Sequence, residues 1–388
     1  MSGKEPVKRK HKKAEYLELV YDLIFVYLIK RCDALLEMEP SGFFSAESFE
    51  VYLFSILVML QIWAFSTLFI NRYGRNGWRE FLLLTVNMFL LCFLAADTIE
   101  DWRLTYDAYQ ISWGLIVVNI AAHYLSKLRA AKAHPQEQHF LMRRLRIFAV
   151  QALLIFFAVP LYEATGFSFA WIALAIGFIG PLLVWQKDQE VLTDIEHLAE
   201  RIMLFVVLSF GETLISAAEY FSGPLTLNRI YFSACAFLVV IGMLLAYGFI
   251  YSKLLDRHRM GVGTLYMFLH IFIVVAINDV TVGLEFMHNG ESNDLLTLLF
   301  LVVSFLLYYA TLLYMAHKAG RYYLPARQTW VPFIIISAVF TVIIFFFTSN
   351  RWVNAGISAA YPFAMYLAIF LRRKRELLEH PYTPARNL

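Results

Sequence analysis

The stretch YFSACAFLVVIGMLLAYGFIY, residues 231–251, contains no charged side chain. It is long enough to cross the hydrocarbon layer as a helix, which takes about 20 mostly apolar residues. Lipid offers the backbone no hydrogen-bonding partner, so a spanning run of this kind is helical. Similar runs recur along the chain, at 17–36, 49–70, 80–98, 104–125, 147–163, 168–185, 202–221, 228–252, 261–284, 294–316, 329–348 and 352–371. The fold expected is all-α: a polytopic integral membrane protein with about 12 transmembrane helices.

Composition points the same way. The 388 residues are 60% hydrophobic and 16% charged, whereas soluble domains carry about 45–50% apolar and about 25% charged residues. The net charge of +3 predicts no nucleic-acid partner. The bilayer is the expected partner, with an ion or small solute as candidate cargo, and the oligomeric state is left open. Cys32, Cys92 and Cys235 lie in apolar runs without metal-ligand spacing and read as small hydrophobes. The basic N-terminus leads into a run that contains Glu18, Asp22, Lys30 and Arg31 and has no small-residue cleavage site, so it reads as a retained first helix.

Basic residues set the orientation. With the N-terminus inside, all 33 Lys and Arg except Lys30, Arg31, Arg103, Arg229 and Arg351 fall on the inner side. Every inner loop carries Lys or Arg, the pattern of the positive-inside rule. Merging 147–163 with 168–185 would carry the basic loop 318–327 outside. Both termini are therefore expected in the cytoplasm, as basic tails 1–16 and 372–388, with the longest cytoplasmic loop at about 126–146.

The polar residues inside the runs repeat. Glu18 aligns with Glu200 at an offset of 182, and Asn71-Arg72 with Asp256-Arg257 at 185. Asn87 aligns with His270 at 183, and Glu100 with Glu285 at 185. These offsets predict two six-helix halves, 17–190 and 191–371. An even helix number per half makes the repeat parallel, with a pseudo-twofold axis along the membrane normal.

Three segments carry a family resemblance: ELVYDLIFV (18–26), IWAFSTLFINR (62–72) and HLAERIMLFVVLSFGET (197–213). In this order they resemble the signatures of the bacterial low temperature requirement A (LtrA) family. Lys30 and Arg31 depart from the family's pattern, which has neutral residues there. The resemblance implies a multi-pass protein of the bacterial cell (inner) membrane. It implies no particular reaction.

Ionisable groups inside a bilayer cost about 2.5–3.5 kcal/mol each on insertion scales, and they commonly mark ion or substrate pathways. Two sets are expected here. A charge belt at the cytoplasmic ends comprises Glu18, Asp22, Asn71, Arg72, His197, Glu200, Arg201, Asp256 and Arg257. It is expected either to fix helix packing or to act as a gate. A deeper set comprises Lys30, Arg31, Asn87, Glu212, His270 and Asp279. Glu212 is expected to pair with Lys30 or Arg31, the alternative being that these bases reach outward to lipid phosphates. Asn87 and His270 are expected to face each other across a central cavity, with Asp279 near its outer mouth.

No catalytic residues, metal or cofactor are expected, since the sequence lacks nucleophile-elbow, zinc-protease, P-loop and dinucleotide motifs. The H-x-x-E-R run supplies one His and one Glu and is not a zinc motif. Transport along a polar path between the halves is the leading expectation. A lipid-binding or lipid-modifying role in cold adaptation, and a non-transporting sensor or assembly role, are the alternatives.

Overall fold

The computed structural model describes residues 16–37, 43–74, 77–99, 102–188, 194–254, 263–290, 294–319 and 326–379. Among these residues there are twelve α-helices and no strand. They are α1 (Tyr16–Glu37), α2 (Ala46–Tyr73), α3 (Trp78–Ile99), α4 (Trp102–Leu128), α5 (Pro135–Thr165) and α6 (Ala170–Asp188), followed by α7 (Ile195–Ala218), α8 (Leu227–Phe249), α9 (Thr264–Asn289), α10 (Asp294–Ala319), α11 (Ala326–Phe346) and α12 (Arg351–Glu379). Each expected run falls on one helix. Nine of these helices are long and apolar enough to cross a membrane. Of the other three, α6 and α11 hold the shorter apolar segments Ala170–Val184 and Trp330–Phe346. The remaining one, α1, is interrupted by Asp22, Lys30, Arg31 and Asp33.

Local signals set the helix ends. The side chains of Ser45, Asp194 and Thr226 accept hydrogen bonds from the first-turn amides of α2, α7 and α8, filling donors that a helix start leaves open. Gly166 and Gly290 end α5 and α9 at φ of 69° and 67°, a left-handed turn that glycine adopts without a Cβ clash.

Two expected boundaries are corrected. The span 126–146 is not a long loop: α4 runs to Leu128, a 3-10 turn covers Ala130–Ala133, and α5 begins at Pro135. Proline suits a first helical turn, where its missing N–H costs nothing. Phe140, Leu141 and Arg144 then bury one face of the extension. The last expected run, 352–371, lies in a helix that continues to Glu379, since residues 372–380 contain neither Gly nor Pro.

Large apolar side chains point outward around the bundle, among them Leu153, Phe157, Leu183, Ile215, Val342 and Phe346. Soluble monomers seldom expose apolar surface on that scale, and a bilayer covers it. The chain is thus a multi-pass helical membrane protein. Its two most enclosed helices are α2 and α9. Helix α1 touches α7 and α9, α2 touches the same pair, and α6 touches α9. The first six helices therefore meet the last six along a seam of α1 and α2 against α7 and α9.

Candidate functional site

The seam carries most of the intramembrane charge. At the end where α1 begins, the Asp22 carboxylate accepts three hydrogen bonds. Arg201 of α7 donates from Nη2 to Oδ1 (3.0 Å) and from Nε to Oδ2 (3.4 Å), and Trp63 of α2 donates from Nε1 to Oδ1 (2.7 Å). One helical turn earlier, Glu18 Oε2 lies 3.6 Å from Arg201 Nη1 and 3.4 Å from His197 Nε2. The Trp63 ring stacks on Phe205 of α7, with centroids 4.2 Å apart. Asn71, at the end of α2, donates to the Asp194 carbonyl (2.8 Å) and lies 3.0 Å from His197 Nδ1. Arg201 and Asp22 are fully buried, and a two-pronged guanidinium–carboxylate pair is the geometry that best offsets their desolvation. The six polar side chains of Glu18, Asp22, Trp63, Asn71, His197 and Arg201, from three helices, thus form one knot across the seam.

Farther along α1, Lys30 Nζ lies 3.7 Å from Glu212 Oε1 and 3.8 Å from Glu219 Oε1, and it donates to Ser216 Oγ (2.8 Å). Ser216 in turn donates to Glu212 Oε1 (2.8 Å). Glu212 and Ser216 share a face of α7, four residues apart. Thr281 of α9 donates to Thr213 Oγ1 of α7 (2.9 Å), so polar contacts continue from the Lys30 pair onto α9.

A third group completes the seam: Asp33 of α1, Tyr52 of α2, and Asn278 and Asp279 of α9. Asn278 donates to Asp33 Oδ1 and to the Tyr52 hydroxyl (3.0 Å), and that hydroxyl donates to Asp279 Oδ1. All four side chains are buried. Eleven residues separate Asp22 from Asp33, close to three helical turns, so both lie on one face of α1 about 16 Å apart.

Other expected residues go elsewhere. Arg72 does not join Asp22 and Glu18. It donates to Glu137 of α5 from Nε (3.3 Å) and Nη2 (3.2 Å) and stacks 4.1 Å above the Phe140 ring. The helical extension of α5, in the span expected to be loop, brings Glu137 there. Glu200 is half-buried on another face of α7, with one carboxylate oxygen lacking a hydrogen-bond partner among the described residues. Arg31 is likewise half-buried, and its Nε has no hydrogen-bond partner among the described residues. Asp256 and Arg257 lie outside the described residues.

Asn87 and His270 do not face each other, which corrects the expected central pair. Asn87 donates to Tyr21 Oη (3.3 Å) and Ser66 Oγ (3.2 Å) and accepts from Asn119 (2.8 Å), joining α1, α2, α3 and α4. His270 Nδ1 contacts the Tyr266 carbonyl (2.8 Å), and its Nε2 contacts the Tyr247 hydroxyl (3.3 Å). A carbonyl only accepts, so Nδ1 carries the proton and Tyr247 donates to Nε2. Each residue satisfies its hydrogen bonds within its own set of six helices.

Trp63, Asp33, Tyr52 and Ser216 are partners that sequence reasoning does not single out, whereas Asn278 stands out with Asp279 as a polar pair inside an apolar run. Asp33 is within its reach, because the spacing from Asp22 places it on the same face of α1. A Tyr or Trp in an apolar run gives no comparable signal.

A bundle of apolar helices with paired charges along an internal seam defines a multi-pass membrane protein with a buried polar interior. The family model described as "Bacterial low temperature requirement A protein (LtrA)" matches residues 13–368, and the chain belongs to that family. A search of curated proteins found no match.

Proposed function

We propose that this LtrA-family protein carries an ion or small solute across the bacterial inner membrane, along the seam of α1 and α2 against α7 and α9. The observation that carries this reading is the crossing of ion pairs over the seam at two depths, the buried Asp22–Arg201 pair and the Lys30–Glu212 pair, in which Glu212 is buried and Lys30 is 40% exposed. Buried pairs seldom add stability over apolar packing of the same volume. One such pair, with a second and partly exposed pair between the same helices, suits a contact that opens and closes. In this reading the Asp22–Arg201–Glu18–His197 knot is the cytoplasmic gate, and both termini lie in the cytoplasm.

The reading treats 17–190 and 191–371 as two halves of a parallel repeat that rock against each other. The packing order within each set of six supports it. Helix α1 lies on α2 and α3 as α7 lies on α8 and α9. The contacts α3–α4, α4–α5 and α5–α6 likewise have counterparts in α9–α10, α10–α11 and α11–α12.

The test is reconstitution of the full chain in liposomes, with imposed pH and ion gradients and fluorescent readouts. Wild type should dissipate at least one gradient. Glu212→Gln, which removes the charge facing Lys30, should slow it by about tenfold or more, the scale of a hydrogen bond to a charged group. Wild-type vesicles as tight as protein-free vesicles to every ion tried would sink the reading.

A further inference from the structure

The group formed by Asp33, Tyr52, Asn278 and Asp279 has one unmet feature. Asn278 is only 3% exposed, yet its Oδ1 has no hydrogen-bond partner among the described residues. The same amide's nitrogen is already engaged with Asp33 and Tyr52, and the orphan oxygen is bonded to the same carbon, next to that nitrogen. Exchanging the amide's oxygen and nitrogen does not cure this. It would set a carbonyl oxygen against the Asp33 carboxylate and strand the NH₂. The Tyr52 hydroxyl cannot serve the orphan oxygen either, because its proton goes to Asp279.

We infer that Asp33, Tyr52, Asn278 and Asp279 form a binding site for a monovalent metal cation of the sodium type. Two carboxylates, an amide oxygen and a phenol oxygen are hard oxygen donors, the class that alkali and alkaline-earth ions take and that sulfur- and imidazole-seeking metals do not. An amide oxygen ligates a hard cation directly, as carbonyl oxygens do at oxygen-donor sites. The cation would also offset carboxylate charge that is costly at membrane depth. The donors come from α1 and α2 on one side of the seam and α9 on the other, so binding would draw the two sides together. The inference rests on the transport reading for its purpose, since it names the coupling or transported ion. It does not rest on that reading for the binding itself.

Equilibrium binding of radiolabelled Na⁺ to the purified full-length protein in detergent tests it, by scintillation proximity. Wild type should retain label saturably, displaced by NaCl and not by choline chloride. Asn278→Ala should weaken binding by about tenfold or more, the scale of a single interaction with a charged group, and Asp279→Asn should abolish it. Glu163→Gln, on the exposed surface of α5, should bind as wild type does. Wild-type protein that retains no more label than in excess NaCl overturns the site. So does a monodisperse Asn278→Ala protein of unchanged affinity, a readout that holds even where Asp279→Asn fails to fold. Binding without flux in liposomes would remove the transport reading and keep the site, and flux without retained label would do the reverse.

Discussion

Arg201 shows what a single charge costs and does in this setting. It is fully buried, its fork is filled by Asp22, and Glu18 stands beside it. Removing one partner of such a pair leaves the other charge uncompensated, at about 3–5 kcal/mol. Arg201→Ala should therefore lower the thermal midpoint of the detergent-solubilised protein sharply, measured by fluorescence-detected size exclusion. The triple variant Glu18→Gln, Asp22→Asn and Arg201→Gln should recover much of the loss, because it also removes both carboxylates that face Arg201. An unchanged midpoint for Arg201→Ala would show that the pair is not enclosed as described. Glu18, Asp22, Arg201, Lys30 and Glu212 are legible in the sequence because a charge inside an apolar run stands out against its neighbours. Their partners are less so. Trp63 and Ser216 leave no such mark, and the choice of Glu137 as the partner of Arg72 depends on a helix start that hydropathy does not mark.

At the scale of helices, the apolar runs locate all twelve helices of the described residues, nine of them long and apolar enough to cross a membrane. They misjudge where α5 begins and α12 ends, because those turns leave the apolar zone while keeping helical geometry. Which helices pack together is not legible at all, and glycine shows why. A Cβ on Gly242 of α8 would come within 2.6 Å of Pro362 Cβ on α12. Small residues allow such close approach between membrane helices, but nothing in the local sequence names the facing helix. Gly242→Val should force α8 from α12 and cost about 1–3 kcal/mol, the usual range for overpacking, again read as a fall in thermal midpoint. Gly211→Val, where a Cβ meets nothing within 4 Å, should cost far less. Equal losses at the two positions would mean that α8 and α12 do not pack closely.

Across the whole molecule, the two sets of six helices share a packing order but not an even division of the centre. The helices most enclosed are α2 and α9, whereas the sequence offsets from which a repeat is expected pair α2 with α8 and α3 with α9. The seam is accordingly one-sided: α1, α2, α7 and α9 hold its polar groups, and Asn87 and His270 stay within their own sets. On the transport reading proposed above, this seam admits water and cargo. Labelling with a charged, water-soluble thiol reagent in liposomes tests it most directly, in a background with Cys32, Cys92 and Cys235 replaced. Single cysteines at Thr213, Ser216 and Thr281 should react, because a thiol needs water to ionise and become nucleophilic. Cysteines at Phe157 and Val342, which face outward among apolar side chains, should stay inert. Seam cysteines as unreactive as those two would contradict the account.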